Sequence, residues 1–570
     1  SPGVIDGLVS EGALALTELI EPPPGAGLDP DHAAPLLTAA QAAAARALEQ
    51  AVAERTFSVH LVEGVTGAGK TEVYLEAIAA ALREGRQALV LLPEIALTRA
   101  LLDRLAARFG APPAEWHSGL TPRRRGRTWE AVAAGEARVV VGARSALFLP
   151  FRALGVIVVD EEHDAGFKQD DAPTYHARDM AVVRGRIAEV PVVLVSATPS
   201  LESRVNAETG RYRRHLLPER YGGRALPAIA LVDLKREPPP HGRFVAPPLE
   251  EAVRETLGRG EQALLFLNRR GYAPLTLCRT CGHRLQCPNC TAWLVEHRFR
   301  GELACHHCGH AEAVPAACPH CGGTGTLAPV GPGVERIVDE AKALFPDARL
   351  AVLSSDLTVG AERLRVELKA IAEHRVDLVV GTQLVTKGHN FPDLTLVGVV
   401  DADLGLGTAD PRAAERTFQL IEQVTGRAGR GARPGRGLIQ TFDPDHPVMA
   451  ALAAHDREAF YAAETAARAD AGLPPFGRLA SVVVTHPQRG DAEAHARALA
   501  RAFPEADGAR LLGPAEAPLA VLRGRHRMRL IVKARRGLDL PGHLRRWLAA
   551  APPARGATAV LVDVDPVSFL

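Results

Sequence analysis

No apolar run in these 570 residues reaches the ~18 to 20 that a membrane-spanning helix needs. Hydropathy therefore gives no reason to expect membrane association, and a soluble, cytoplasmic protein is expected. There is almost no net charge, +1 from 67 Lys and Arg against 66 Asp and Glu, so no global basic field draws in nucleic acid. Any contact with a polyanion must come from local clusters such as Arg123-Arg124-Arg125-Gly126-Arg127 or Arg523-Gly524-Arg525-His526-Arg527, each of which also reads as a solvated loop. Cysteine is missing everywhere outside residues 278–321, which excludes a disulfide framework across the chain. No charged-then-apolar leader follows Ser1, so no signal peptide is read, and the absent initiator Met suggests a piece of a longer protein. The length suits roughly three or four domains.

Against these absences stands one dense stretch, Phe57 to Tyr74. Gly64-Val65-Thr66-Gly67-Ala68-Gly69-Lys70-Thr71 satisfies the phosphate-loop pattern in full, with an apolar strand-like run before it and a helix-like segment after it. Glycines there let backbone N–H groups curl around a phosphate at a helix N-terminus, where the dipole also favours an anion. Lys70 is suited to the β- and γ-phosphates and the Thr71 hydroxyl to Mg²⁺. An ordinary glycine-rich turn has no need of the complete set. Upstream, Thr38 is a plausible N-cap for an Ala-rich helix. Downstream, Ala88 to Leu92, Val139 to Val141, Val156 to Val159 and Val192 to Val195 alternate with helical patterns, as buried parallel strands do, and predict a doubly wound α/β lobe.

Val156 to Val159 runs into Asp160-Glu161-Glu162-His163, placing carboxylates at the C-terminal edge of a buried strand, where ligands sit in such sheets. Asp160 suits the Mg²⁺ shell and Glu161 the attacking water. Ser196-Ala197-Thr198-Pro199 ends the next strand, and its hydroxyls are candidates for tying nucleotide state to lobe movement. Pro218 to Pro248 reads as a connector. The alternation then resumes with Ala263 to Leu267, Leu350 to Leu353, Val376 to Val380 and Leu396 to Val400, without a second phosphate loop. Gly426-Arg427-Ala428-Gly429-Arg430 follows, two arginines three apart at a helix start or on a tight turn, suited to neutralising a γ-phosphate from a second lobe.

All eight cysteines form four C-x-x-C pairs: Cys278/Cys281, Cys287/Cys290, Cys305/Cys308 and Cys318/Cys321. Two thiolates on such a knuckle grip one metal tetrahedrally, so eight imply two Zn²⁺. Two intervening residues are few for a structural disulfide, and His283, His306, His307, His310 and His320 are possible substitutes as ligands. The metals are expected to supply folding energy and no catalysis.

Together with LLPEIALT (91–98), GARSALFLPF (142–151), DEEHDAGFKQDDAPTYHARDMA (160–181), SATPSLES (196–203), FLNRRGYAP (266–274), GTQLVTKGHNFPDLTLVGVVDAD (381–403), LGPAEAPLAVLRGRHR (512–527) and DVDPVSFL (563–570), these motifs resemble the PriA family of bacterial primosomal replication-restart DNA helicases from about Leu37 to the end. The resemblance implies a superfamily 2 motor that hydrolyses ATP, translocates 3′ to 5′ on single-stranded DNA, recognises stalled or repaired forks and begins primosome assembly. It further implies that Gln41 reads adenine. Gly64, Thr66, Gly67, Ala68, Gly69, Lys70 and Thr71 would bind nucleotide, with Lys70, Asp160, Glu161, Arg427 and Arg430 catalytic. The loop bearing Phe167, Lys168, Tyr175, His176 and Arg178 would couple DNA to hydrolysis through base stacking and phosphate pairing. Zinc pairing would be nested, Cys278, Cys281, Cys318 and Cys321 on one ion and Cys287, Cys290, Cys305 and Cys308 on the other. The chain departs from the family in lacking the N-terminal domain that binds a nascent 3′ end, and in reading Gly331-Pro332-Gly333-Val334-Glu335 where a hydroxyl-bearing loop is expected.

The fold expected is α/β: a winged-helix remnant and linker in 1–35, a RecA-like helicase lobe in 36–225, a second in 226–450 with a zinc insert at 275–325, and a C-terminal α+β domain in 451–570. ATP, Mg²⁺ and two Zn²⁺ are the expected cofactors. Single-stranded and forked DNA, helicase-loading proteins and single-strand DNA-binding protein are the expected partners of a monomer. A primosome scaffold with an idle motor and another superfamily 2 translocase are the alternatives.

Overall fold

A computed structural model describes all residues except 1, 15–21, 94–98, 170–172, 269–274, 279, 289–293, 298–301, 306–309, 331–333, 354–360, 383–390, 407–409 and 570. β-branched and aliphatic runs build a first, seven-stranded sheet. Its spatial order is 114–116, 139–142, 87–91, 154–160, 192–196, 59–64 and 213–217, with every neighbouring pair parallel. Apolar residues on its two faces feed separate cores, which is why the central strands read as unbroken apolar runs and not as alternation. The strands 154–160, 192–196 and 59–64 are adjacent, so their C-terminal ends deliver Asp160, Ser196 and the phosphate loop to one edge. Two edge strands, Ala114–Trp116 and Arg213–Leu217, escape the sequence reading. The first has three residues, and the second carries Arg213, Arg214 and His215 on a largely exposed edge.

A second parallel sheet orders 228–233, 436–441, 394–401, 262–267, 378–381 and 350–353. Its edge strand Ala228–Asp233 lies inside the stretch read as a connector, which is therefore partly lobe structure. The cysteine-rich insert is an antiparallel sheet that leaves and re-enters this lobe through paired strands, Leu275–Cys278 against Leu327–Val330.

Two boundaries shift from expectation, those at 450/451 and 35/36. The helix Pro447–Ala454 runs through residue 451. The next helix, Arg457–Asp470, gives Phe460 and Tyr461 to the second lobe's core, with Phe460 stacked on Phe418 at 4.0 Å. The antiparallel C-terminal sheet begins only at Gly477. At the other end, much of the expected linker is packed: Leu28 joins the first lobe's core, Asp29 N donates to Phe109 O, and Gly25 O accepts from Arg138 N. Among the described residues no helix is long and apolar enough to cross a membrane.

Candidate nucleotide cleft and zinc insert

The strand Val59–Gly64 turns into the helix Lys70–Arg83 through two left-handed glycines, Gly67 at φ 83° and Gly69 at φ 74°. A side chain on Gly69 would be doubly excluded, because its Cβ would lie 2.3 Å from Gln41 Nε2. Lys70 Nζ donates to Gly64 O at 3.0 Å and Val65 O at 3.2 Å. Burial pulls its ammonium down to about 8, against Glu161 and Asp160, which favour the charge. A half-buried cation resting on two neutral carbonyls is poised to exchange them for phosphate oxygens. Thr38 caps the helix Ala39–Glu54 in a full capping box. Gln41 Oε1 accepts from Thr38 N and Gln41 Nε2 donates to Ala68 O, both at 2.8 Å. The expected adenine reader is thus buried, with both ends of its amide bracing the cap and the phosphate loop.

Across the sheet edge, Asp160 Oδ2 accepts from Tyr74 OH at 3.1 Å and Oδ1 from Glu161 N at 2.9 Å. Burial first, and the neighbouring Glu161 second, push Asp160 up to about 7. Glu161 takes a left-handed φ of 52°, a strained conformation for a residue with a Cβ, in the turn that aims its carboxylate. Its Oε2 lies 3.7 Å from His163 Nδ1. Asp160 and the Thr71 hydroxyl are hard oxygen donors of the kind Mg²⁺ takes. Glu162 faces the opposite way, fully buried, accepting from Ser200 N (2.7 Å), Ser203 Oγ (2.8 Å), Ser200 Oγ (3.0 Å) and Arg178 Nη1 (3.2 Å). His163 bonds Ser196 Oγ at 2.7 Å through Nδ1 and the second lobe's Gln423 through Nε2.

The second lobe meets this edge with the end of the helix Ala413–Thr425. Arg427 and Arg430 sit on the tight turn after that helix, not at a helix start. Thr66 Oγ1 donates to Gly426 O at 3.3 Å, and a Cβ on Gly426 would lie 2.3 Å from Thr66 Oγ1, so the turn needs glycine to come this close. Arg430 Nε donates back to Gly426 O at 3.2 Å. Burial draws both guanidiniums below their usual range, Arg427 to about 10, while Glu161 favours their charge. A second set of ties between the lobes has no local sequence signal. Arg412 pairs with Glu202 at 2.5 Å, Glu415 Oε1 accepts from Leu201 N at 2.7 Å, and Tyr461 OH donates to Pro199 O at 2.7 Å.

The expected DNA loop is corrected in part. Phe167 is fully buried in the first lobe's core, so it offers no face for a base to stack on. Lys168 is buried, paired with Asp563 at 2.7 Å and donating to Val564 O at 3.0 Å. Arg178 is buried against Glu162 and Asp179. Tyr175 and His176 stay half-buried, Tyr175 edge-on to the exposed Phe148 at 5.2 Å. Stacking and phosphate pairing were expected from sequence because nothing local shows that the C-terminal segment occupies Lys168.

In the insert, Cys278, Cys281, Cys318 and Cys321 bring their sulfurs within 4.8 Å of one another, with Cys278 to Cys321 at 3.6 Å and Cys281 to Cys318 at 3.7 Å. That spacing suits four thiolates on one tetrahedral zinc, and these are the first and last knuckles of the nested arrangement. Cys287 and Cys305 are buried in one cluster with Leu285, Leu294 and Leu303, and Cys290 and Cys308 lie outside the described residues, as do 94–98, 269–274, 331–333 and 383–390 of the other motifs.

Family models match three parts of the chain: a DEAD/DEAH box helicase at 38–206, a PriA DNA helicase Cys-rich region at 287–312 and a primosomal protein N C-terminal domain at 469–567. Replication restart protein PriA of Rickettsia felis is 43% identical over 509 residues, 89% of this chain and 78% of its own. That of Haemophilus influenzae is 38% identical over 524 residues, 92% of this chain and 71% of its own. That of Bacillus subtilis is 40% identical over 532 residues, 93% of this chain and 66% of its own. Among solved structures, RecG bound to a three-way DNA junction matches with 17% identity over 80% of this chain and 48% of its own, at a TM-score of 0.43, a likeness too slight to bear on function.

Proposed function

Since the chain belongs to the PriA family of replication restart proteins and is an ATP-dependent DNA helicase, we propose that it travels 3′ to 5′ on single-stranded DNA, acts at stalled or repaired forks in the cytoplasm, and starts primosome assembly there with helicase-loading and single-strand DNA-binding proteins. The observation that carries the motor part of this reading is the meeting of two lobes at the phosphate loop, Thr66 Oγ1 on Gly426 O at 3.3 Å.

That geometry supports a role for each residue. Lys70 leaves the Gly64 and Val65 carbonyls to pair with the β- and γ-phosphates. Asp160 and Thr71 would hold Mg²⁺, which when bound offsets phosphate charge. Glu161, aimed by its strained backbone, orients the attacking water and takes its proton at a carboxylate oxygen. Arg427 and Arg430 meet the negative charge that grows on the γ-phosphoryl oxygens, in a cleft where low dielectric strengthens each pairing. His163, bonded to Ser196 and Gln423 at once, reports the state of one lobe to the other. The eight cysteines would hold two zinc ions, Cys278, Cys281, Cys318 and Cys321 one of them, and the metals would supply folding energy to the insert.

One preparation tests this. ATP hydrolysis is measured with and without single-stranded DNA for the chain and for Lys70→Ala, alongside zinc content and unwinding of partial duplexes bearing only a 3′ or only a 5′ tail. Strong DNA stimulation lost in Lys70→Ala, with unwinding from the 3′-tailed substrate, is expected. A zinc-loaded, folded chain without hydrolysis would sink the motor reading, and preference for the 5′ tail would sink the direction.

A further inference from the structure

Arg220 sits in the stretch between the lobes that sequence reading treats as a bare connector, yet it is one of the more deeply buried cations of the molecule, 5% exposed. Its guanidinium spans two elements that belong to different lobes. On the phosphate loop, Nε donates to Thr66 O at 3.1 Å. On the arginine turn, Nη2 donates to Gly426 O at 2.8 Å, and Nη1 to Ala428 O and Gly429 O at 3.2 Å each. The residues beside it repeat the pattern: Tyr221 N donates to Gly67 O at 2.9 Å, and Arg224 Nη1 to Arg430 O at 2.5 Å.

Among the described residues no carboxylate forms a direct ion pair with Arg220; Glu422 only favours its charge from farther off. A buried charge without an acid is costly unless several oxygens replace its water, and backbone carbonyls of Thr66, Gly426, Ala428 and Gly429 supply them. Only a planar fork with five N–H groups can reach both elements at once; an ammonium is a point donor on a flexible stem. The cost of burying Arg220 is therefore met only when the phosphate loop and the turn are together, which makes its burial and their contact one event. General interlobe adhesion does not need this arrangement, since Arg412 with Glu202 already provides an acid-paired tie elsewhere.

We infer that Arg220 is a positioning residue for ATP hydrolysis, locking the turn that carries Arg427 and Arg430 onto the phosphate loop so that both guanidiniums enter the cleft in fixed register. This rests on the assignment of Arg427 and Arg430 as the arginines that meet the γ-phosphate. A small misplacement of such groups costs rate more than binding. Arg220→Lys keeps charge and most of the volume but loses the fork; Arg224→Ala removes one exposed contact and leaves the buried packing alone.

The test is steady-state, single-strand-stimulated hydrolysis by the full chain, with binding of a fluorescent ATP analogue measured separately, for Arg220→Lys, Arg224→Ala, Arg430→Ala and the double variant Arg220→Lys/Arg430→Ala. Expected are a loss in kcat of about tenfold or more for Arg220→Lys and a smaller loss for Arg224→Ala, analogue affinity within about twofold of the parent, and a double variant whose loss falls short of the product of the two single losses, Arg427 being the one finger left to misplace. Parental kcat in Arg220→Lys and Arg224→Ala overturns the inference, as does a double variant whose losses multiply, because Arg220 would then act independently of the finger. Arg430→Ala hydrolysing at the parental rate instead fails the finger assignment itself, whatever Arg220 does.

Discussion

Residues in the cleft are held by bonds they must give up or keep on nucleotide binding, and the two kinds behave differently under substitution. Lys70 rests on carbonyls it can leave, whereas Gln41 ties the cap of one helix to the loop of another through Thr38 N and Ala68 O. Gln41→Ala removes the side-chain half of the capping box and the brace to Ala68 O while Thr38 Oγ1 keeps its bond to the backbone N of residue 41, a loss on the order of 1 kcal/mol. A melting temperature lower by a few degrees is expected, together with weaker ATP binding, measured by calorimetry and analogue titration. An unchanged melting point would mean that the brace carries no strain. Arg430→Ala is expected to lower stimulated kcat by roughly 10³ with little change in analogue affinity, the scale typical of a lost finger, checked by the same steady-state assay.

At the scale of elements, the insert is a sheet of short strands whose described residues include one small buried cluster, Leu285, Cys287, Leu294, Leu303 and Cys305. A cluster this small contributes little apolar burial, so metal binding is expected to supply the module's folding energy. Removal of zinc with a strong chelator is expected to increase proteolytic cleavage within 275–330 while the parallel lobes resist, read by mass spectrometry of a limited digest. Cleavage unchanged by metal removal would show that the insert's sheet stands alone. The strand Ala228–Asp233 and the helix Arg457–Asp470 show the opposite case, elements without independent cores that are stable because a neighbour's face receives them.

At the scale of the molecule, ion pairs away from the phosphate loop tie the lobes together. Arg412 beside Glu202 holds that carboxyl well below the usual carboxylate range once its burial is offset. A carboxyl lowered in the folded state adds stability above its unfolded pKa, and that stability is lost as pH falls through the folded value. Glu202→Gln is therefore expected to melt several degrees below the parent at pH 7, with the gap closing as pH drops below about 4, followed by differential scanning calorimetry. A gap that persists in acid would assign the effect to packing instead of charge. The same scale holds the contact of Lys168 with the C-terminal segment, which fastens the loop after Glu161 to a domain that begins more than three hundred residues later.

The phosphate loop, the Asp160-Glu161 edge, the cysteine knuckles Cys278/Cys281 and Cys318/Cys321 and most central strands were legible in the sequence because each is local: a loop of glycines, an apolar run with a carboxylate at its end, two thiols on one turn. Their chemistry is set by spacing along the chain. The edge strands at 114–116 and 213–217, the strand inside the connector and the true start of the C-terminal sheet were not legible, since edges need no continuous apolar run and their identity comes from the strand they pair with. The fates of Gln41, Phe167, Lys168 and Arg178 were decided only by tertiary structure. A side chain's residue type states which bonds it can make, but which partner reaches it first depends on elements distant in sequence. Arg220 is the clearest instance: in sequence it is one basic residue in a loop of Pro, Gly and Arg, and only the closing of two sheets around it turns its five N–H groups toward the phosphate loop and the arginine turn at once.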